Sequence, residues 1–189
     1  MIRAKKREQL IVDLLKSIGE DPDREDLKNT PKRVAKMWEE FFKGYDPTHK
    51  PVITTFKNKN EQNNDQLIID TGHFFSHCEH HLVPFFGKYY FAYIPNKKII
   101  GLSKIARVVD YYAARLQIQE RLVREVADEI NSAVKPKGLA FVLRARHLCK
   151  EMRGVLKYGG EMTVSDMRGV FKTKKSMKME LVSYINTHG

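Results

Sequence analysis

The sequence predicts an α+β protein: a helical N-terminal part, then strands that enclose two helical stretches. Three observations carry this. Up to about residue 44, apolar residues recur at the three- and four-residue spacing of amphipathic helices. From Leu67 onward the pattern turns to aromatic-rich and alternating runs, the signature of strands. Helical spacing then returns between Ile105 and about Ala133, before alternation resumes at Leu139.

Taken in order, Leu10, Ile11, Leu14, Leu15 and Ile18 predict a first helix over 4–18, stopped by Gly19. The polar stretch from Glu20 to Lys28, with Pro22, reads as a connecting loop. Asn29-Thr30-Pro31 reads as a helix start, because a first-turn proline gives up an N–H that has no helical partner anyway. Val34, Met37, Trp38, Phe41 and Phe42 form the second stripe, and Gly44 is the expected stop. Residues 45–66 are irregular, and Lys57 to Gln66 holds four Asn, two Lys and two Gln, the composition of a mobile surface loop. The expected organisation is a helical extension over 1–50, a loop over 51–66 and the main domain over 67–189.

In that domain Leu67-Ile68-Ile69 leads as a strand toward Phe74-Phe75. Phe85 to Pro95 is a strand on its aromatic content, with a turn at Asn96-Lys97-Lys98. Ile99 to Leu102 is a short strand running into a helix striped by Ile105, Val108, Val109 and Tyr112. Leu122, Val126 and Ile130 continue helically. Pro136-Lys137-Gly138 turns the chain. If the next strand stays regular, Phe141, Leu143, Ala145, His147 and Cys149 share one face. A last strand over Glu161 to Phe171 and a basic helical tail close the sequence.

Composition bounds the function classes. At 42% hydrophobic and 30% charged residues the chain is globular, and no run approaches the ~20 apolar residues of a membrane span. The basic N-terminus runs into amphipathic sequence, so no signal peptide is expected and the cytoplasm is the expected location. A net charge of +11 implies an anionic partner: nucleic acid, membrane surface or phosphorylated small molecule.

Both cysteines lie in two short pieces, Ser76-His77-Cys78-Glu79-His80-His81 and His147-Leu148-Cys149. Thiolate and imidazole are the donors Zn²⁺ prefers. Cys78 and His81 stand three apart and Cys149 arrives from another element. Three protein donors leave a fourth position open, the arrangement of catalytic rather than structural zinc. A Cys78–Cys149 disulfide is the competing reading, and the lack of a secretory context weighs against it. Four histidines within nine residues (His73, His77, His80, His81) are hard to explain as ordinary core or surface residues.

A second feature is electrostatic. Ser103 reads as a helix N-cap, with Lys104 and Arg107 in or just beyond the first turn. Cations oppose the helix dipole there, unless an anion binds the free N–H groups; the alternative is that both simply reach into solvent. Arg153 is a third candidate for the same anion. Arg33 and Lys36, one turn apart near the second helix's start, read alone as a solvated flank.

Taken together, Ser76-x-Cys78-Glu79-His80-His81, Ala92-Tyr93-Ile94-Pro95, Gly101-Leu102-Ser103-Lys104, Gln117-x-Gln119-Glu120-Arg121-Leu122, His147-x-Cys149 and Arg153-Gly154-Val155 resemble the GTP cyclohydrolase I family. Thr30-Pro31-x-Arg33-Val34 and Gly169-Val170-Phe171 also match, and the resemblance runs from about residue 8 to residue 185. It implies a tunnelling fold, an antiparallel sheet backed by helices, with a helical N-terminal extension. It implies a toroidal homodecamer with active sites between neighbouring subunits. The implied reaction converts GTP and water to formate and 7,8-dihydroneopterin triphosphate, the entry to reduced pterins.

Carried onto this sequence, the resemblance makes Cys78, His81 and Cys149 the zinc ligands, for an ion that would acidify a water attacking C8 of guanine. His147 would give a proton to the opening imidazole ring, His80 would be a second catalytic histidine, and Ser103 would assist the ribose rearrangement. Arg33, Lys36, Lys104, Arg107 and Arg153 would hold the triphosphate, Arg33 and Lys36 from an adjoining subunit. Glu120, with Gln119, would hold the guanine. Lys150 and Glu151 depart from the apolar residues common at these positions and put a charge pair beside the site. Two other classes remain to be separated: a nitrile reductase on the same fold, which needs a nucleophilic cysteine and a nicotinamide cofactor, and a non-enzymatic basic zinc module that binds nucleic acid.

Overall fold

The computed structural model describes residues 2–59 and 66–188. The chain divides into two compact units, Met1–Lys43 and Gly44–Gly189.

In the first unit α1 (Ile2–Ser17) and α2 (Thr30–Phe41) pack on one another, with Ile11 and Ala35 buried and Arg7 ion-paired to Glu39. Pro31 sits at the start of α2 as expected. The expected stripes are only partly covered: Leu10, Leu14 and Ile18 are more than half exposed, and Met37 and Phe41 are exposed as well. Two helices share a single seam, so each buries one narrow line of its apolar face. Helix α2 ends at Phe41, short of Gly44, with the Phe42 N–H bonded to the Trp38 carbonyl.

The second unit opens with two single turns of 3-10 helix and then β1 (Thr55–Lys57), which pairs antiparallel with β4 (Lys98–Ile100). A strand therefore lies inside the stretch expected to be loop, since three residues are too few to show periodicity. Residues 60–65 of that expected loop lie outside the described residues.

The main sheet is made of β2 (Ile68–Cys78), β3 (Pro84–Ile94), β5 (Leu116–Gln117), β6 (Gly138–His147) and β7 (Glu161–Gly169). Among the described residues its order is β5-β2-β3-β6-β7, antiparallel except for β5, which runs parallel to β2. Helices α3 (Leu102–Ala113) and α4 (Gln119–Val134) back one face. There Phe74, Tyr89, Phe91, Phe141 and Leu143 meet Ile105, Val108, Leu122, Val126 and Ile130 in one core. The opposite face of β3 and β6 carries Tyr90, Ala92, Ile94 and Val142, covered by Phe171 of the turn α6 (Val170–Thr173) and by Leu181 and Ile185 of α7 (Lys175–His188). Strand β3 is thus buried on both faces, which is why it reads as a continuous aromatic run rather than an alternating one. The antiparallel sheet backed by helices is the fold class the sequence predicts.

Two devices fix this arrangement. The buried Ser76 hydroxyl donates to the Ala113 carbonyl at 2.8 Å, tying β2 to the end of α3. Gly169 has φ +57°, and a Cβ there would stand 2.2 Å from the Lys137 carbonyl oxygen, so only glycine lets β7 cross the start of β6. No described helix is long and apolar enough to cross a membrane.

Candidate metal centre

The loop between β2 and β3 is closed by its own backbone. The Cys78 N–H donates to the Val83 carbonyl at 2.9 Å, and the Cys78 carbonyl accepts from Leu82 N–H at 2.8 Å and His81 N–H at 3.3 Å. Leu82 takes φ +57° to complete the turn. Strand β5, which the sequence pattern did not reveal, holds this loop from the side. Glu79 N–H donates to the Gln117 carbonyl at 3.0 Å, while the Glu79 carboxylate accepts both Arg121 Nη groups at 2.7 and 2.5 Å. The loop is therefore tied at once to the sheet edge and to α4.

Cys149 reaches the same place by a different route than expected. Strand β6 stops at His147, and Leu148–Glu151 is a helical turn, α5, so Cys149 does not share a strand face with His147. No glycine or proline marks that stop. The turn nevertheless delivers the thiol: one donor atom each from Cys78, His81 and Cys149 lies within 4.8 Å of the others. Cys78 Sγ is 3.7 Å from His81 Nδ1. Zinc bonds of about 2.3 Å to sulfur and 2.0–2.1 Å to nitrogen, opened to the tetrahedral angle, set these atoms about 3.6 Å apart. The donor set and its spacing fit a zinc-sized ion. Both thiols are free, so the disulfide reading falls. Burial first, and then the neighbouring Cys78, pushes the Cys149 thiol above its usual range, a cost that a bound cation would reverse.

His147 sits at the same end of the sheet. The registers set His77 opposite Pro84 and Phe85 opposite His147. Its ring stacks on Phe85 at 4.9 Å and 4° and places Nε2 2.8 Å from Gln119 Oε1. Burial lowers its proton affinity, against the pull of the nearby Glu120 carboxylate. Glu120 itself is exposed at the start of α4, next to the buried Gln119.

The other site residues fall into two groups. His80 Nδ1 is 3.8 Å from Cys78 Sγ, and Arg153 Nη1 is 3.2 Å from His81 Nε2, so both belong to the centre. Ser103 and Lys104 open α3 away from it, while Arg107 stands midway along that helix, whose last residue, Ala113, is tied to Ser76. Helix α3 begins beside β4, where Ile100 N–H donates to the Tyr93 hydroxyl, and Tyr93 pairs with Ile68, ten positions along β2 from Cys78. Ser103 also lies inside the first turn, after Gly101 as the N-cap, and so is not the cap itself. Arg33 and Lys36 are exposed on α2 of the first unit.

Several supporting side chains escaped the sequence reading. Arg146 Nε and Nη2 donate to Glu151 at 3.0 and 2.5 Å, so Glu151 turns inward to Arg146 while Lys150 faces solvent. The expected charge pair beside the site is thus an Arg146–Glu151 clamp across the Cys149 turn. Gln119, expected beside Glu120 at the guanine, turns inward: it stands at helical spacing with Leu122, Val123 and Val126 and is as buried as they are.

The fold and centre together define a class: an α+β protein whose sheet end gathers two thiols and an imidazole able to hold a metal ion with one position open. The family model for GTP cyclohydrolase I matches residues 7–186. A GTP cyclohydrolase 1 from Thermoanaerobacter pseudethanolicus is 46% identical over 188 residues, 99% of each chain. Another, from Brucella suis, is 43% identical over 174 residues, 92% of this chain and 82% of that one. Among solved structures, apo archaeosine synthase QueF-Like shares 19% identity and a TM-score of 0.45 over 55% of this chain and 93% of that one. The chain belongs to the GTP cyclohydrolase I family.

Proposed function

We propose that this protein opens the imidazole ring of GTP at C8 by hydrolysis, releases formate and rearranges the remainder to 7,8-dihydroneopterin triphosphate. The observation that carries this reading is the grouping of Cys78, His81 and Cys149, with His147 at the same end of the sheet, in a chain of this family. Those three residues would hold zinc, which supplies Lewis acidity and brings the pKa of water toward neutrality.

The chain's own residues would do the rest. His147, stacked on Phe85, handles the proton at the opening ring. His80, adjacent to the centre, is the second catalytic histidine. The exposed Glu120 carboxylate accepts hydrogen bonds from N1–H and the 2-amino group of guanine, beside Gln119. Arg153 takes the near end of the triphosphate. Ser103 and Lys104 stand at the far end of β2 from their own chain's centre, so they would serve a neighbour's site together with Arg107, one turn further along α3, as would Arg33 and Lys36. That placement favours an oligomer with sites between subunits, a homodecamer by family resemblance, and the exposed Leu10, Leu14 and Ile18 give it apolar surface to bury. On this reading the second unit is catalytic, the first an extension, and the protein works in the cytoplasm, in keeping with its free thiols.

The test is incubation of the zinc-loaded protein with GTP, following formate and, after oxidation, a fluorescent pterin. Both should appear in equal amounts. If neither forms in a protein shown to carry zinc and to bind GTP, the reading is wrong.

A further inference from the structure

The side chain of Gln119 is 1% exposed and fully engaged. Its Nε2 donates to the carbonyls of Leu143 and Met162, both at 3.0 Å. Two carbonyl oxygens can only face the NH₂ end of an amide, which fixes the orientation of the group. Its Oε1 must then face His147 Nε2, 2.8 Å away. An amide oxygen only accepts, so Nε2 of His147 carries the hydrogen. Phe85, stacked at 4.9 Å and 4°, holds the plane of the ring. Nδ1 is the remaining ring nitrogen, and among the described residues it has no partner.

We infer that Gln119 is a positioning residue that pins His147 in one tautomer, with Nε2–H bound to the amide and Nδ1 turned to the reacting base. The inference rests on the reading of His147 as the proton-handling residue, and it gives that reading a direction. With a proton taken up from water, Nδ1 of the imidazolium gives it to the guanine imidazole nitrogen. When it leaves, the electron pair of the N–H bond stays on Nδ1, and the neutral ring keeps its other hydrogen on Nε2, donated to Gln119. A histidine free to exchange tautomers would offer the wrong nitrogen part of the time. The same hydrogen bonds leave the Gln119 side chain no N–H to give to guanine, so its part in base recognition passes to its neighbour Glu120.

The experiment is ¹⁵N NMR of the zinc-loaded enzyme labelled in histidine, with the His147 signals assigned by their loss in His147→Asn. The expected spectrum has a pyrrole-type Nε2 bearing a slowly exchanging proton and a pyridine-type Nδ1. In Gln119→Met, which keeps the volume and removes the acceptor, the two signals should move toward one another as tautomers mix. In the same variant kcat should fall about 10–100-fold, the usual effect of losing a supporting hydrogen bond to a site histidine, while KM for GTP and zinc content stay near wild type. A pyrrole-type Nδ1 in the wild-type spectrum overturns the inference without any variant. So does a Gln119→Met enzyme with unchanged ring signals or unchanged kcat. The spectrum needs no turnover, so this result is separate from the reading of the site, which formate release by the unmodified enzyme decides.

Discussion

Cys149 and His147 are two residues apart, yet the break between β6 and α5 gives their side chains different partners. Cys149 turns its sulfur toward Cys78 and His81, while His147 is pinned by Gln119 and Phe85. Substitution should separate them. Cys149→Ser removes a soft donor and is expected to abolish both zinc binding and turnover in a protein that still folds. His147→Ala should keep zinc and GTP binding and lose at least ~10²-fold in rate, the scale of general acid catalysis. Elemental analysis alongside kcat distinguishes the two, and loss of zinc from His147→Ala would place that histidine among the ligands. Glu120 offers a third residue-scale test. Its carboxylate matches the two donors on the guanine edge, and adenine presents neither, so discrimination against ATP should be on the order of 10⁴-fold. Glu120→Gln replaces one acceptor with a donor. It should leave zinc untouched and weaken GTP binding severely; GTP affinity and turnover near wild type would make Glu120 an ordinary helix residue.

At the scale of elements, the centre depends on how two short segments are held. The β2–β3 loop is fixed by β5 and Arg121, and the α5 turn by the Arg146–Glu151 pair. Arg146 keeps the Glu151 carboxyl below the usual carboxylate range. A depressed carboxylate contributes stability above its unfolded pKa and loses it as pH falls through the lower folded value, so the clamp is fully formed at neutral pH. Glu151→Gln should loosen the turn that carries Cys149 and reduce zinc affinity about 10-fold, as changes in residues that support metal ligands do. Competition with a chelator measures this, and unchanged zinc retention would show that the turn holds itself. None of these supports was legible in the sequence, whereas the ligands were. Cysteine and histidine are rare and chemically specific, so their spacing speaks directly. Arg121 and Arg146 are common polar residues whose meaning comes from partners brought near by the sheet. Long strands such as Pro84–Ile94 announced themselves by aromatic content, but β5, with two residues, had no period to show. The end of β6 was hidden because alternation carries on through Leu148 and Cys149 with no breaking residue.

At the scale of the whole molecule, the question is how one active site is completed. The centre lies at the Cys78 end of β2, and the N-terminal turn of α3, with Ser103 and Lys104, lies by the Ile68 end, Arg107 following midway along the helix. Ten residues of strand separate the ends by on the order of 30 Å, well beyond the reach of the Lys104 side chain across one nucleotide. If both groups serve the same GTP, they must come from different subunits. Two separately inactive variants should then complement. Cys149→Ser lacks the metal half of each site, and the double variant Lys104→Ala, Arg107→Ala lacks an anion half. Unfolded together and reassembled as mixed oligomers, they would form sites in which one chain supplies the intact centre and its neighbour the intact cations. Random mixing in a closed ring makes about a quarter of the sites whole in both halves, so up to about a quarter of wild-type activity should return. Each variant reassembled alone should stay inactive. Native mass spectrometry would verify that mixed oligomers had formed. Mixed oligomers with no recovered activity would mean that each chain completes its own site, and that the cations of α3 hold something other than this substrate.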